Sequence, residues 1–322
     1  MVHIYEIGRL EENTMTKTVT MLAAILSMCV APMTVSAAES LALGLGSTSE
    51  GGILPDTASY DWWYGCSPTS AGMLMGYYDR NGYAGLSYSN LVPGGVAEAS
   101  TFPSTPGTWS YLAQYAIASP GHVADFYSAG YLGSGDDAYA GRSFDCLADF
   151  MGTSQDSIGN VNGSTTFYYY VDGARTYASD LYGYGLGDDD GMCGVGEYVE
   201  YCGYSVVESY TQYADSLGLT YGFTFEDYMA EIDAGRGVLI HVEGHTMLGV
   251  GYGDNNLVYL YDTWAEDLNT MIWGRAYADL PLVGVSMIEL AGGSPIVPVP
   301  GTVVLVALGS GCVGWLRRRR TF

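Results

Sequence analysis

Near its C-terminal third the chain carries three short runs that can only be read as extended. Val238–Val242, Thr246–Tyr252 and Leu257–Tyr261 are rich in β-branched and aromatic residues. Turn residues separate them: Glu243-Gly244 between the first two, Gly253-Asp-Asn-Asn256 between the second and third. Such a series excludes a helical bundle. The clearest helical pattern lies far upstream, over Ser67–Arg80, where Ala71, Leu74, Met75 and Tyr78 recur at helical spacing and predict one buried face. Ser67 can cap that helix, Pro68 suits its first turn, and Asn81-Gly82 suits its end. Further helices are expected over Thr108–Ala118, Ser143–Gly152 and Glu226–Ala234, and a strand over Thr165–Tyr170. Helices first and sheet last predict an α+β fold with segregated elements.

The two ends are set apart by composition. Residues 18–37 form an apolar run after Lys17 and finish in Val35-Ser36-Ala37, a small-residue cleavage pattern. That order is expected of a secretory signal peptide. Glu6, Glu11 and Glu12 sit poorly in such a leader, so the start of translation is placed at Met15 and neither end is assigned to the globule. Residues 38–59 are Gly/Ser-rich and are expected to be a linker or an extended arm. Residues 60–292 form the main domain, and 293–322 a tail. In that tail a Pro-rich hinge precedes an apolar stretch to Leu316 and the cluster Arg317–Arg320, which would hold that end of a membrane helix in the cytoplasm.

Charge narrows the function classes. The chain has 11 Lys+Arg against 35 Asp+Glu, a formal net charge of −24, and no lysine beyond residue 17. A nucleic-acid partner is therefore not expected, because phosphate neutralisation needs clustered cations. Export would permit disulfides, and Cys193 and Cys202, nine residues apart in a Gly-rich segment, are the expected pair. Cys146 is then a buried thiol, and Cys66 requires a separate explanation.

Cys66 stands immediately before the helix read over Ser67–Arg80. Unpaired backbone N–H groups and the helix dipole there favour a thiolate. A second component is Glu243-Gly-His245-Thr-Met-Leu-Gly, with His245 opening a strand. If Tyr252 pairs with Leu257, position 245 falls opposite 264 and position 262 opposite 247. His245 and Asp262 then share a face as diagonal neighbours, about 7–8 Å apart at Cα. Asp262 can fix the ring tautomer while His245 exchanges a proton with Cys66, and Trp264 can shield that contact. His241 and His122 compete for the role of base. His241 and His245 have the separation of a metal-binding pair but lie in strands, and Val242 stands where a zinc peptidase has Glu; no metal and no cofactor are expected. Asp188-Asp189-Asp190 and Asp136-Asp137 lack the spacing of a calcium loop and are read as acidic turns.

The pieces YGCSPTSAGMLMGYYD, GHTMLGVGYGDNN and VYLYDTW, in this order, resemble a papain-like cysteine peptidase of the bacteriocin-processing (C-39-like) type. The resemblance implies a nucleophile helix packed on an antiparallel sheet, with Cys66 as nucleophile, His245 as general base and acid, and Asp262 as the orienting residue. It also implies a peptide or protein substrate. Such peptidases have Gln six residues before the nucleophile as an oxyanion donor, whereas here that position is Tyr60. The Tyr60 hydroxyl, or an indole N–H of Trp62 or Trp63, would have to replace it. A catalytically weak or inactive binding protein on the same fold is the alternative, and acyl transfer to an amine is a third option. The tail resembles a PEP-CTERM sorting signal, with Pro298-Val299-Pro300 in place of Pro-Glu-Pro. That likeness implies an exosortase partner, transient membrane anchoring by the C-terminal helix, and delivery to the envelope or extracellular matrix.

Overall fold

The computed structural model describes residues 2–7, 52–57, 59–60, 62–83, 85–92, 115–129 and 143–292. The leader, most of the linker and the whole sorting-type tail lie outside them, as do Asp136-Asp137 and much of the helix read over Thr108–Ala118. Among the described residues no helix is long and apolar enough to cross a membrane.

The α+β expectation holds. The core is a seven-stranded antiparallel sheet in the order β3-β4-β9-β5-β6-β7-β8. Its strands are β3 (Thr176–Tyr177), β4 (Val206–Tyr213), β5 (Val238–Val242), β6 (His245–Gly253), β7 (Leu257–Tyr261), β8 (Asn269–Ile272) and β9 (Leu282–Leu290). Helix α1 (Cys66–Asn81) packs on β6. The other α-helices among the described residues are α2 (Pro120–Ala129), α3 (Leu147–Phe150), α4 (Ala178–Tyr184), α5 (Gly191–Tyr201) and α6 (Phe225–Asp233). Helix α6 starts from a full capping box: Thr224 Oγ1 accepts from the Asp227 N–H, and the Asp227 carboxylate accepts from the Thr224 N–H.

Two expectations about α1 are corrected. Its N-cap is Gly65, not Ser67. Nor is only one face buried: every residue from Cys66 to Asp79 is buried. The sheet covers one side and the segment around Ile117 another. At Gly72 a Cβ would lie 2.3 Å from Ile117 Cγ1, so only glycine admits this contact. A helix buried all round is central to its domain, which makes α1 a rigid mount for the residue at its first position.

The order in β6 and β7 refines the hairpin arithmetic. Near the turn the register is Tyr252↔Val258 and Gly253↔Leu257, one residue off the pairing read from the sequence. A bulge between Gly249 and Gly251 then restores Gly249↔Leu260 and Leu248↔Tyr261, the register that sets 262 opposite 247. The bulge faces Ile53, which bridges to Gly251, while the Leu54 N–H donates to the Val250 carbonyl at 2.7 Å. Residues 52–54 thus run as an extended arm on β6, and the chain turns at Pro55-Asp56.

Strands β4, β8 and β9 were not read from the sequence, and the helix expected over Ser143–Gly152 shrinks to the single turn α3. Strand β1 (Val2–Ile7) runs parallel to β2 (Thr165–Tyr170), with Val2 beside Thr165 and Ile7 beside Tyr170. This differs from the reading that set everything before residue 38 apart from the globule. The alternating VHIYEI segment supplies backbone partners to an open strand edge.

Candidate active site

The approach to Cys66 is built from unusual backbone. Tyr64 has φ 58° and Gly65 φ 147°. A Cβ on Gly65 would fall 2.9 Å from both the Gly163 carbonyl oxygen and the Pro68 ring. Gly163 in turn (φ +76°) has no room for a Cβ, which would meet Trp62 Cζ2 at 2.6 Å. Thr69 fixes the same turn, its hydroxyl donating to the Gly65 carbonyl at 2.6 Å and accepting from the Trp63 N–H at 3.0 Å. The Tyr-Gly-Cys sequence therefore makes a tight entry that sets Cys66 at the N-terminal end of a central helix.

His245 comes from β6, the strand on which α1 lies, and its imidazole is near enough to the Cys66 thiol for each to shift the other's proton affinity. Its Nε2 lies 2.6 Å from the backbone carbonyl oxygen of Asp262. A carbonyl only accepts, so Nε2 carries a hydrogen and Nδ1 is left for the thiol. The Trp264 ring stacks on the imidazole, centroids 4.4 Å apart and planes 21° apart, and is itself 48% exposed.

Asp262 stands beside the histidine, but not as its parity in the hairpin suggested. Its carboxylate turns away from the ring. Oδ1 accepts from the Trp264 N–H at 2.9 Å and the Ala265 N–H at 3.2 Å, and Oδ2 accepts from the Tyr277 hydroxyl at 2.6 Å. The reason is local: β7 ends at Tyr261, Thr263 takes φ 64°, and an Asp there closes a turn with its own side chain. The carboxylate holds the loop, and the loop presents the carbonyl to His245.

The electrostatics favour charge separation. Burial pushes the Cys66 thiol up, but the His245 hydrogen bond and the imidazolium charge outweigh it and bring the pKa from 9.0 to about 7. The Thr246 backbone also lowers it. For His245 burial lowers the proton affinity, while Cys66 and the Asp262 carbonyl raise it, and the net shift is upward. A thiolate–imidazolium pair is the state these shifts describe.

His241 is excluded as the base. Both its nitrogens are engaged, Nδ1 with Thr246 Oγ1 at 3.0 Å and Nε2 with Ser286 Oγ at 2.8 Å. Burial, helped by the charge of His245, lowers its pKa to about 3, so it stays neutral. Thr246 Oγ1 also meets Ser67 Oγ at 2.9 Å, and Ser70 donates to the Thr246 carbonyl at 3.2 Å. This buried polar chain stitches the first turn of α1 to β6. Thr246, Ser286 and Tyr277 have no local sequence signal: His241 is flanked by Ile240 and Val242, and its hydroxyl partners come from the neighbouring strands.

A model of the Peptidase_C39 like family matches residues 54–278. The chain belongs to the Peptidase_C39 like family. Comparison with curated proteins and with solved structures gave no match. The α+β arrangement of α1 on the antiparallel sheet is the papain-type fold that C39-like membership implies, and the family suggests a cysteine peptidase. The match begins at Leu54, in the extended arm, and ends at Ala278, just past Tyr277. All of the Cys66–His245–Asp262 constellation lies inside it.

The other residues singled out in this C39-like chain are placed as follows. Tyr60 is buried in the core, and burial pushes its hydroxyl far above the ordinary value, so it stays protonated. Trp62 is half-buried and rests on Gly163. The expected Cys193–Cys202 disulfide is absent: both are free thiols, as are Cys66 and Cys146. Cys193 lies in the first turn of α5 and Cys202 caps its end. Nine residues of helix put them about 13 Å apart, far beyond the Cα separation a disulfide spans. The acidic turn at 188–190 is a helix start, in which the Asp190 carboxylate accepts from the backbone N–H groups of Met192, Cys193 and Tyr168. His122 lies in α2, with Nδ1 3.0 Å from Asp149 Oδ1 and Cys146 close by.

Proposed function

We propose that this protein is an exported cysteine peptidase that hydrolyses peptide bonds through a thioester on Cys66. The single observation that carries the reading is the pairing of the Cys66 thiol, at the start of a buried helix, with the imidazole of His245, which brings the thiol from 9.0 down to about 7. The Cys66 thiolate attacks the scissile carbonyl, and the C–N bond breaks as the His245 imidazolium gives its proton to the leaving amine. His245 then takes a proton from water, which attacks the thioester and releases the acid and the thiolate. Asp262 acts through its carbonyl, holding the Nε2–H tautomer. The Cys66 N–H is one oxyanion donor; the second is assigned to the Tyr60 hydroxyl or the Trp62 indole. Loss of one such donor lowers the rate by about 10²–10³ in a well-studied protease, so Tyr60 in the glutamine position favours a second reading, a catalytically weak or inactive binding protein on this fold.

The wider setting belongs to the same proposal. The N-terminal leader exports the chain. The C-terminal tail anchors it in the membrane until an exosortase-like enzyme processes it, and the envelope or matrix is its destination. Its partners are a peptide or protein substrate and that sorting enzyme. The test is digestion of a peptide mixture by the full chain, with products read by mass spectrometry. Cleavage by the wild type that is lost in Cys66→Ala and in His245→Ala supports hydrolysis. Absence of any cleavage product, with folded protein, overturns it in favour of the binding reading. Amine-capped products on addition of an amine would indicate transfer instead.

A further inference from the structure

A second Cys–His–Asp cluster lies outside the proposed catalytic centre. His122 on α2, Cys146 at the start of α3 and Asp149 within α3 are each fully buried. One ligand-type atom from each lies within 4.8 Å of the other two. We propose that these three residues form a structural site for a transition-metal dication of the zinc type.

Three observations carry this. The first is geometry. His122 Nδ1 and Asp149 Oδ1 are 3.0 Å apart, close to the about 3.3 Å edge of a tetrahedron with ligand bonds of about 2.0 Å. Cys146 and Asp149 are three residues apart on one helical turn, which puts both on one side. The second is charge. A thiolate, a carboxylate and a neutral imidazole together carry the two negative charges that cancel a dication, and a neutral complex is what a dry interior tolerates. The third is the supporting shell. The Asp145 N–H donates to Asp149 Oδ2 at 3.2 Å, and Ser119 Oγ accepts from the His122 N–H at 3.2 Å. Such outer contacts orient metal ligands.

The ligand set selects the ion. Thiolate with imidazole and carboxylate suits zinc and its surrogate cobalt, and disfavours calcium and magnesium. A cavity of about 480 Å³ is lined by Ser119 and Asp145, which hydrogen-bond the cluster's residues, though by none of the three ligands themselves. The site also reaches the nucleophile loop. The Tyr64 ring packs edge-on against His122 at 5.8 Å and Phe126 at 5.4 Å, and Tyr64 is two residues from Cys66. A metal there would pin α2 to α3 and steady the entry to α1.

The test uses the full chain, stripped with a chelator and titrated with Co²⁺. A thiolate-to-cobalt charge-transfer band with tetrahedral visible bands is expected at stoichiometric metal, retained in Cys66→Ala and in Cys193→Ser/Cys202→Ser. Cys146→Ser and His122→Gln should each weaken binding by more than about 100-fold, since loss of even an outer partner weakens it about 10–100-fold. Native preparations should contain zinc by elemental analysis. If folded wild-type protein shows neither zinc nor a cobalt–thiolate band, or if the band disappears in Cys66→Ala, the cluster is only a buried histidine–carboxylate pair beside a thiol and the proposal fails. The wild-type spectrum decides this even if a variant does not fold.

Discussion

Replacing Asp262 by Asn separates the two ways in which this residue can serve His245. In one, the carboxylate fixes the tautomer and stabilises the imidazolium, and its loss lowers turnover by about 10⁴, as in a serine-protease triad. In the other, the structure's own arrangement, the backbone carbonyl does the work at 2.6 Å from Nε2. An Asn at 262 leaves that carbonyl in the chain. It can still accept from the Trp264 and Ala265 N–H groups at Oδ1, and its amide can meet the Tyr277 hydroxyl. The three contacts, at 2.9, 3.2 and 2.6 Å, change from charge-assisted to neutral. Each such change weakens a hydrogen bond by about 1 kcal/mol, so fold stability drops by up to about 3 kcal/mol. Only the part that displaces the carbonyl reaches His245. If that is one hydrogen bond's worth, about 1 kcal/mol, the rate falls about tenfold or less. The assay is the alkylation rate of Cys66 by iodoacetamide, read by peptide mapping, together with kcat/KM on any peptide the digestion identifies. A drop of about 10³ or more in a folded Asp262→Asn protein would refute the carbonyl assignment.

Other outcomes follow from the same geometry. Gly163→Ala puts a Cβ 2.6 Å from Trp62 Cζ2 at φ +76°, so it should lower stability by about 1–3 kcal/mol in denaturant unfolding and slow Cys66 alkylation by disturbing its entry loop. Thr246→Val removes the hydroxyl shared by His241 and Ser67; leaving those groups buried and unmatched should cost about 1–3 kcal/mol, measured the same way. Because Cys193 and Cys202 are free, both should be alkylated in denatured protein without prior reduction, and a mass for a 193–202 cross-link would contradict the fold around α5.

The parts of this molecule legible in its sequence are those where local pattern and tertiary role agree. Helix α1 and strands β5, β6 and β7 were each read within two residues, because their turns are written in Gly, Asn and Asp. Cys66 and His245 were found by position, at a helix start and a strand start, and the fold brings them together. Asp262 was placed beside His245 but with the wrong group forward. Hairpin parity says which side a strand residue faces, whereas Asp262 lies one residue past the strand, where its carboxylate caps the turn. Strand β9 was missed because it is buried on both faces, as Val285 through Ile288 illustrate, all buried, and β4 because an exposed start at Val207 runs into an all-buried end, so that neither shows clean alternation. The disulfide was misjudged because nine residues of separation say nothing about an intervening helix. His122 and Asp149 are 27 residues apart and meet only through packing of α2 on α3, which no local pattern reports.

The most direct test of the catalytic reading is the pH dependence of Cys66 alkylation in the wild type and in His245→Gln. The hydrogen bond and charge of His245 are what bring a buried thiol down to about 7. Reactivity of the wild type should therefore rise as pH increases through about 7, and in His245→Gln the midpoint should move above the ordinary 9.0, because burial is no longer offset. Superimposable profiles for the two proteins, or a wild-type midpoint at 9 or higher, would show that the imidazole does not activate the thiol.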